Sequence, residues 1–262
     1  MKSYPIKKDH LEHLNVSPHH GRALEKATGI RKWVFTLLPR HVLMEFIAEL
    51  KFSWLRWKTR NTYKRFQDAS DLKVNIGAGS AGAKGWVNID IHSGRNVTCV
   101  YDCRHHLPFP DNSVSMIFTE HFMEHINYTE DVPYFLDECL RVLKPGGVIR
   151  IAVPDAEKYI EAYVERDWTK LAKLSTYINK YHFDEHFKSQ YHTMMEPLNF
   201  IFRQGGHHQY AWDYENMAFV LEKYGFKDIK QQTYGKSMIE ELAIDQKERA
   251  SESLYVEAVN LG

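Results

Sequence analysis

Residues 71–262 predict a Rossmann-like, doubly wound α/β fold with a mostly parallel sheet, on three observations. Short, near-continuous apolar runs alternate with stretches of helical period. The runs end in glycine or acidic residues, and the helical stretches end in glycine. In order, "LKVNIG" is a strand entering a glycine loop, "WVNIDI" a second strand, "VTCVYD" a third and "VSMIFT" a fourth. "DVPYFLDECLRVLK" places Phe135, Leu136, Cys139, Leu140 and Leu143 on one helical face and is expected to stop at "PGG"; "VIRIAV" is then the fifth strand. "YENMAFVLEKYGF" reads as a helix closed by Gly225, followed by the strands "KDIKQQTY" and "SLYVEAVNL". Residues 156–206 are mostly helical and interrupt the sheet after its fifth strand.

Residues 1–70 differ in texture, with many aromatic and basic residues and few acids, and predict a helical N-terminal extension. Two readings fit it. Either it packs on the main domain through Trp54, Trp57 and Phe66, or residues 22–66 present a basic, aromatic surface to a membrane or to glycan assembly machinery.

The chain has 262 residues, 44% of them hydrophobic, enough to bury one sizeable core. Its 34 basic and 34 acidic residues cancel, which argues against a nucleic-acid partner. Three cysteines, Cys99, Cys103 and Cys139, are too few for a disulfide framework and suit a reducing compartment. With no signal-like or membrane-spanning apolar run, a cytoplasmic location is expected, peripheral to the inner face of the membrane on the second reading of the extension.

Ligands of open parallel sheets bind at the carboxyl ends of the strands. There stand Gly77, Ala78 and Gly79 after the first strand, Asp90 at the end of the second, Asp102 after the third, Glu120 and His121 after the fourth, and Asp155 after the fifth. Taken with "VNIGAGSAG", "GWVNIDI", "LPFPDNSVSMIFTEHFMEHI", "FLDECLRVLKPGGVIRIAVPD" and "YENMAFVLEKYGF", this set resembles the class I methyltransferases that use S-adenosylmethionine, from about Leu72 to Phe226. The phrases "GWVNID" and "IAVPD" resemble a subgroup associated with glycan and cell-surface polysaccharide assembly.

The resemblance implies S-adenosylmethionine as cofactor, with Asp90 accepting both ribose hydroxyls, Asp102 accepting from the adenine amine and Leu107 walling the adenine. Asn75, Gly77, Ala78, Gly79, Ile91, Cys103 and Glu120 complete the cofactor set. Two departures from the family stand out. Asn75 occupies a position that is usually acidic, and Asp90 follows Gly77 by only thirteen residues, so the first crossover helix must shrink to a turn or vanish. Without that helix a dinucleotide pyrophosphate loses its usual seat, which favours a nucleoside-type cofactor.

The stretch "HFMEH" matches H-x-x-E-H, a zinc-protease pattern if it lies on a helix. A helix is expected to begin at His121, but no third metal ligand stands out downstream, and no metal is expected. His121, His207, His208 and Asp155 are the candidates for the general base or the acceptor contact. Tyr159, Tyr163, Trp168, Tyr177, Tyr181, Phe183 and Tyr191 make the insertion either a sugar-stacking acceptor lid or an aromatic helix core. The expected activity is O-methylation of a sugar, glycan or other small acceptor. The alternatives are a cofactor-binding scaffold without catalysis and, less favoured, a zinc hydrolase.

Overall fold

The computed structural model describes residues 40–79, 82–174 and 191–262. The chain divides into two compact units, residues 1–57 and 58–262. In the first unit the described residues form most of helix α1 (Arg40–Thr59), which continues into the second. Its less exposed stripe is Ala48, Phe52 and Leu55, while Phe46, Leu50, Trp54 and Trp57 are exposed. Phe66, at the end of the short helix α2 (Tyr63–Phe66), is buried, with its ring centroid 5.0 Å from that of Phe109. Residues 22–39 of the proposed basic surface lie outside the described residues.

The second unit holds a seven-stranded sheet in the order β3-β2-β1-β4-β5-β7-β6. Its strands are β1 (Leu72–Ile76), β2 (Val87–Asp90), β3 (Cys99–Val100), β4 (Val114–Glu120), β5 (Leu143–Pro154), β6 (Lys227–Gln232) and β7 (Ser253–Val259). The first five are parallel, and β7 runs antiparallel to both β5 and β6. The order reverses between β1 and β4, which makes the carboxyl edge there the place for a ligand.

Helix α3 (Asp131–Val142) buries Val132, Phe135, Leu136, Cys139 and Val142 on one face, in the same core as Val74, Ile76, Ile117, Ile149 and Ile151. Sequence spacing carries the helix to the "PGG" turn, yet it ends at Val142, and Leu143 already pairs with Val114 as a strand residue. The reason is local. Pro145 disfavours helical backbone at the residue before it, and the register slips across "KPGG" before Val148 pairs with Met116.

The connection from β1 to β2 has no helix among its described residues, as the short spacing requires. A buried side chain braces it instead. Asn88 Oδ1 accepts from Ala83 N (2.9 Å) and from Asn75 Nδ2 (3.1 Å), while Asn88 Nδ2 donates to Ala83 O (2.9 Å). Asn75 thus serves the crossover that its neighbour holds down.

The insertion contributes α4 (Ala156–Val164), α5 (Trp168–Leu174) and α6 (Met195–Arg203). Tyr159, Ala162, Leu171, Leu198 and Ile201 form a second apolar cluster, with Tyr163, Trp168 and Tyr191 against it. These aromatics are helix core, whereas Tyr177, Tyr181 and Phe183 lie outside the described residues. Helix α7 (Tyr214–Lys223) covers β6 and β7, capped by Asp213, which accepts from Asn216 N.

Arg150, in the middle of apolar β5, is fully buried and pairs with two fully buried carboxylates, Asp245 (2.6 Å) and Glu257 (2.7 Å). Removing one partner of such a network strands buried charge. Arg150→Ala is expected to lose about 3–5 kcal/mol of stability in urea unfolding. A loss below about 1 kcal/mol would show that Asp245 and Glu257 find other donors.

Candidate functional site

At the carboxyl edge, β1 ends in a turn through Gly77, whose φ of +71° favours glycine. A Cβ there would stand 2.9 Å from Phe122 Cβ, so the glycine makes room for Phe122. Gly79, with φ of +50°, has no described residue within 4 Å of the place a Cβ would take, which leaves a backbone cradle open among the described residues. Ala78 N donates to Ile89 O (2.9 Å), and Gly79 N donates to Asp90 Oδ2 (2.9 Å). Asp90 Oδ1 accepts from His92 N (2.8 Å). Each carboxylate oxygen still has a lone pair for a further donor, and Asp90 and Ile91 are only partly buried. The open cradle beside a half-exposed carboxylate fits a ligand carrying hydroxyl donors, as a ribose does.

The part of the carboxyl edge beside β3 is more closed. Asp102 is buried with its carboxylate bound by the Arg104 guanidinium at 3.0 Å. Leu107 is fully buried, and its N–H donates to Glu138 Oε2. Cys103 is also buried, and burial pushes its thiol pKa well up. Glu120 Oε2 accepts from Gln246 Nε2 (2.7 Å), and Oε1 accepts from Gln246 N. Burial raises the Glu120 pKa, and Gln246 pulls against that rise.

Past β4 the expected helix does not form. His121 takes left-handed backbone (φ +52°), and only a single 3-10 turn, Met123–His125, follows. The i,i+4 pair of histidines on one helical face, which the zinc-protease reading needs, is therefore absent. The reason is tertiary. His121 N donates to Ala152 O across the sheet, and the turn docks on a distant loop, with Gln209 N donating to Glu124 O (2.6 Å).

That docking brings "HFMEH" and "GGHHQY" together. His121 Nδ1 lies 3.1 Å from Glu124 Oε1, and His121 Nε2 lies 3.0 Å from Ser253 Oγ. His208 is buried and donates from Nδ1 to Ile201 O (2.6 Å); burial lowers its pKa, against the pull of Glu124, so the neutral imidazole is favoured. His207 is exposed, and its carbonyl accepts from His125 Nδ1 (3.0 Å). Asp155 caps α4, accepting from Glu157 N, with Lys158 at 3.5 Å. His121, His208, Arg249 and Glu252 border one small cavity with Pro154 and Ile201. Glu252 is fixed there by Arg249 (2.8 Å) and by the Tyr159 hydroxyl (3.1 Å).

The structure thus gathers His121 and His208 but engages Asp155 in capping and leaves His207 at the surface. Glu124, Arg249, Glu252 and Ser253 were absent from the sequence-derived set. Glu124 was visible only as the acid of H-x-x-E-H, and the other three carry no local pattern.

A mostly parallel sheet with a glycine turn after its first strand and an acidic residue ending its second is an α/β arrangement that binds ligands at its carboxyl edge. The methyltransferase domain family matches residues 83–151. A curated relative from Mycolicibacterium smegmatis, described as a probable S-adenosylmethionine-dependent methyltransferase, is 40% identical over 58 residues, 21% of each chain. The match thus spans about a fifth of that relative's length. Among solved structures, a methyltransferase of Thermotoga maritima, titled a possible histamine N-methyltransferase, shares 16% identity over 84% of this chain and 98% of its own, with a TM-score of 0.44. Phosphoethanolamine N-methyltransferase 2 of Haemonchus contortus shares 14% over 80% of this chain and 56% of its own, with a TM-score of 0.39. Residues 83–151 thus resemble a methyltransferase domain, and the curated relative that shares part of the chain is described as S-adenosylmethionine-dependent.

Gly77→Ala meets both a left-handed backbone and Phe122. It is expected to cost about 1–2 kcal/mol in thermal or urea unfolding. An unchanged midpoint would show that Phe122 yields freely.

Proposed function

We propose that this protein transfers the methyl group of S-adenosylmethionine to a hydroxyl of a sugar, glycan or similar small acceptor. The observation that carries the reading is the adjacency, across Phe122, of the Gly77–Gly79 cradle with Asp90 and the His121 pocket. Bound, S-adenosylmethionine supplies a methyl group activated by its sulfonium, so the protein must chiefly position the acceptor and remove its proton. Asp90 holds the ribose hydroxyls while its two backbone donors fix the carboxylate. His121 is the residue placed to take the proton. Glu124 lies behind Nδ1 and favours a proton there, which leaves Nε2, now beside Ser253 Oγ, to accept. The pocket mixes apolar walls, Pro154, Phe200 and Ile201, with polar groups, and of these Arg249 and Glu252 can bind acceptor hydroxyls.

Calorimetric titration with S-adenosylhomocysteine tests the cofactor half. Wild type is expected to bind, and Asp90→Ala to bind roughly tenfold or more weakly, the cost of losing hydrogen bonds to a charged acceptor. His121→Ala is expected to keep that affinity and lose turnover in a screen of sugar acceptors. Absence of wild-type binding would overturn the reading, and binding without transfer to any acceptor would leave a scaffold.

The exposed Phe46, Leu50, Trp54 and Trp57 on α1 lie in a stretch, residues 40–66, with seven Lys and Arg against two Glu. This supports peripheral contact of residues 22–66 with an anionic membrane surface. Liposome flotation is expected to recover the protein with anionic vesicles and not with neutral ones. Failure to float with either would remove the membrane contact.

A further inference from the structure

Glu124 is 1% exposed, and neither of its carboxylate oxygens has a hydrogen-bond partner among the described residues. His121 Nδ1, 3.1 Å from Oε1, lacks the alignment of a hydrogen bond. A carboxylate so placed needs a cation, because burial of an uncompensated charge is strongly unfavourable.

Two further imidazoles beside Glu124, those of His125 and His208, are arranged as metal ligands rather than as donors. His125 Nδ1 faces His207 O at 3.0 Å, and His208 Nδ1 faces Ile201 O at 2.6 Å. A carbonyl only accepts, so each Nδ1 carries a proton, and in the neutral ring that leaves the lone pair on Nε2. A backbone carbonyl behind Nδ1 is the support that metal-bound histidines use. The rings of His125 and His208 meet edge to face, with centroids 4.7 Å apart, and one ligand atom from each of Glu124, His125 and His208 lies within 4.8 Å of the others. His125 Nε2 is 4.0 Å from Glu124 Oε1, too far for a hydrogen bond. Ligands of a tetrahedral ion with bonds near 2.0–2.1 Å stand roughly 3.4 Å apart, so side-chain shifts of about 1 Å close the site.

We propose that Glu124, His125 and His208 bind a divalent first-row transition metal ion. Two imidazole nitrogens and one carboxylate favour zinc or cobalt over calcium and magnesium, which prefer all-oxygen sites. Three protein ligands leave a position open for an oxygen ligand. His208 also borders the cavity that His121 lines, so an acceptor hydroxyl can fill that position. The acceptor role rests on the methyltransferase reading; metal binding does not.

The test is titration of chelator-stripped, full-length protein with Co2+, Zn2+ and Mg2+ separately, with bound metal counted by atomic emission and Co2+ followed by its visible absorption. About one Co2+ or Zn2+ per chain is expected, with much weaker Mg2+ binding. His125→Ala, at a partly exposed position that should fold normally, and His208→Ala are each expected to weaken binding at least tenfold. His105→Ala, at the surface outside the cluster, should bind as wild type does. Failure to take up metal, or uptake unchanged in both cluster variants, overturns the site and makes the cluster a protonated histidine paired with Glu124. Titration of the same stripped protein with S-adenosylhomocysteine separates the two readings. Cofactor binding without metal uptake sinks the metal site alone, and metal uptake without cofactor binding sinks only the methyltransferase reading.

Discussion

The guanidinium of Arg150 is the constraint on which the site's far wall depends. It enters the apolar interior from β5 and is compensated there by Asp245 and Glu257, with the carbonyls of Thr233 and Lys236 taking further N–H groups. Glu257 in turn accepts from Met238 N and Asp245 from Gly235 N, so residues 233–245 are tied down on the sheet. Just beyond, Gln246 fixes Glu120, and Arg249 fixes Glu252. A buried charge that must be matched from several directions specifies how the segment lies more sharply than apolar contact would.

On the near side the organising principle is replacement of a missing helix by hydrogen bonds. A parallel pair usually needs a crossover of a dozen or more residues. Here Asn88 reaches back to Ala83 and Asn75, and Asp90 reaches to Gly79 and His92, so two side chains at neighbouring strand positions hold the connection. A neutral amide at residue 75 suits this, since its N–H donates to Asn88 Oδ1, a service no carboxylate could perform. The price of the short connection is that the amide at residue 75 is engaged within the protein.

Between these two walls lies a dense polar group at the end of β4. Its components come from three stretches far apart in sequence, residues 121–125, 207–210 and 249–253, joined by hydrogen bonds such as Gln209 N to Glu124 O and that between His121 Nε2 and Ser253 Oγ. The insertion serves this group structurally. Tyr159 reaches Glu252, and Ile201 supplies the carbonyl that sets the His208 tautomer. Its described aromatics build the helix core that holds those two residues in place.

The sequence by itself determined what is local. Strands β1 to β7, the glycine cradle and Asp90 were legible because apolar runs, glycine and strand-end acids leave signals within a few residues. The short spacing likewise announced the absent crossover helix. Tertiary structure decided the rest. Arg150 reads as an outlier in an apolar strand until Asp245 and Glu257 meet it. "HFMEH" reads as helix until His121 bonds across the sheet and turns left-handed. Whether Glu124 faces solvent, a histidine or an ion depends on a loop more than eighty residues away, and such long-range closure has no signature in local sequence.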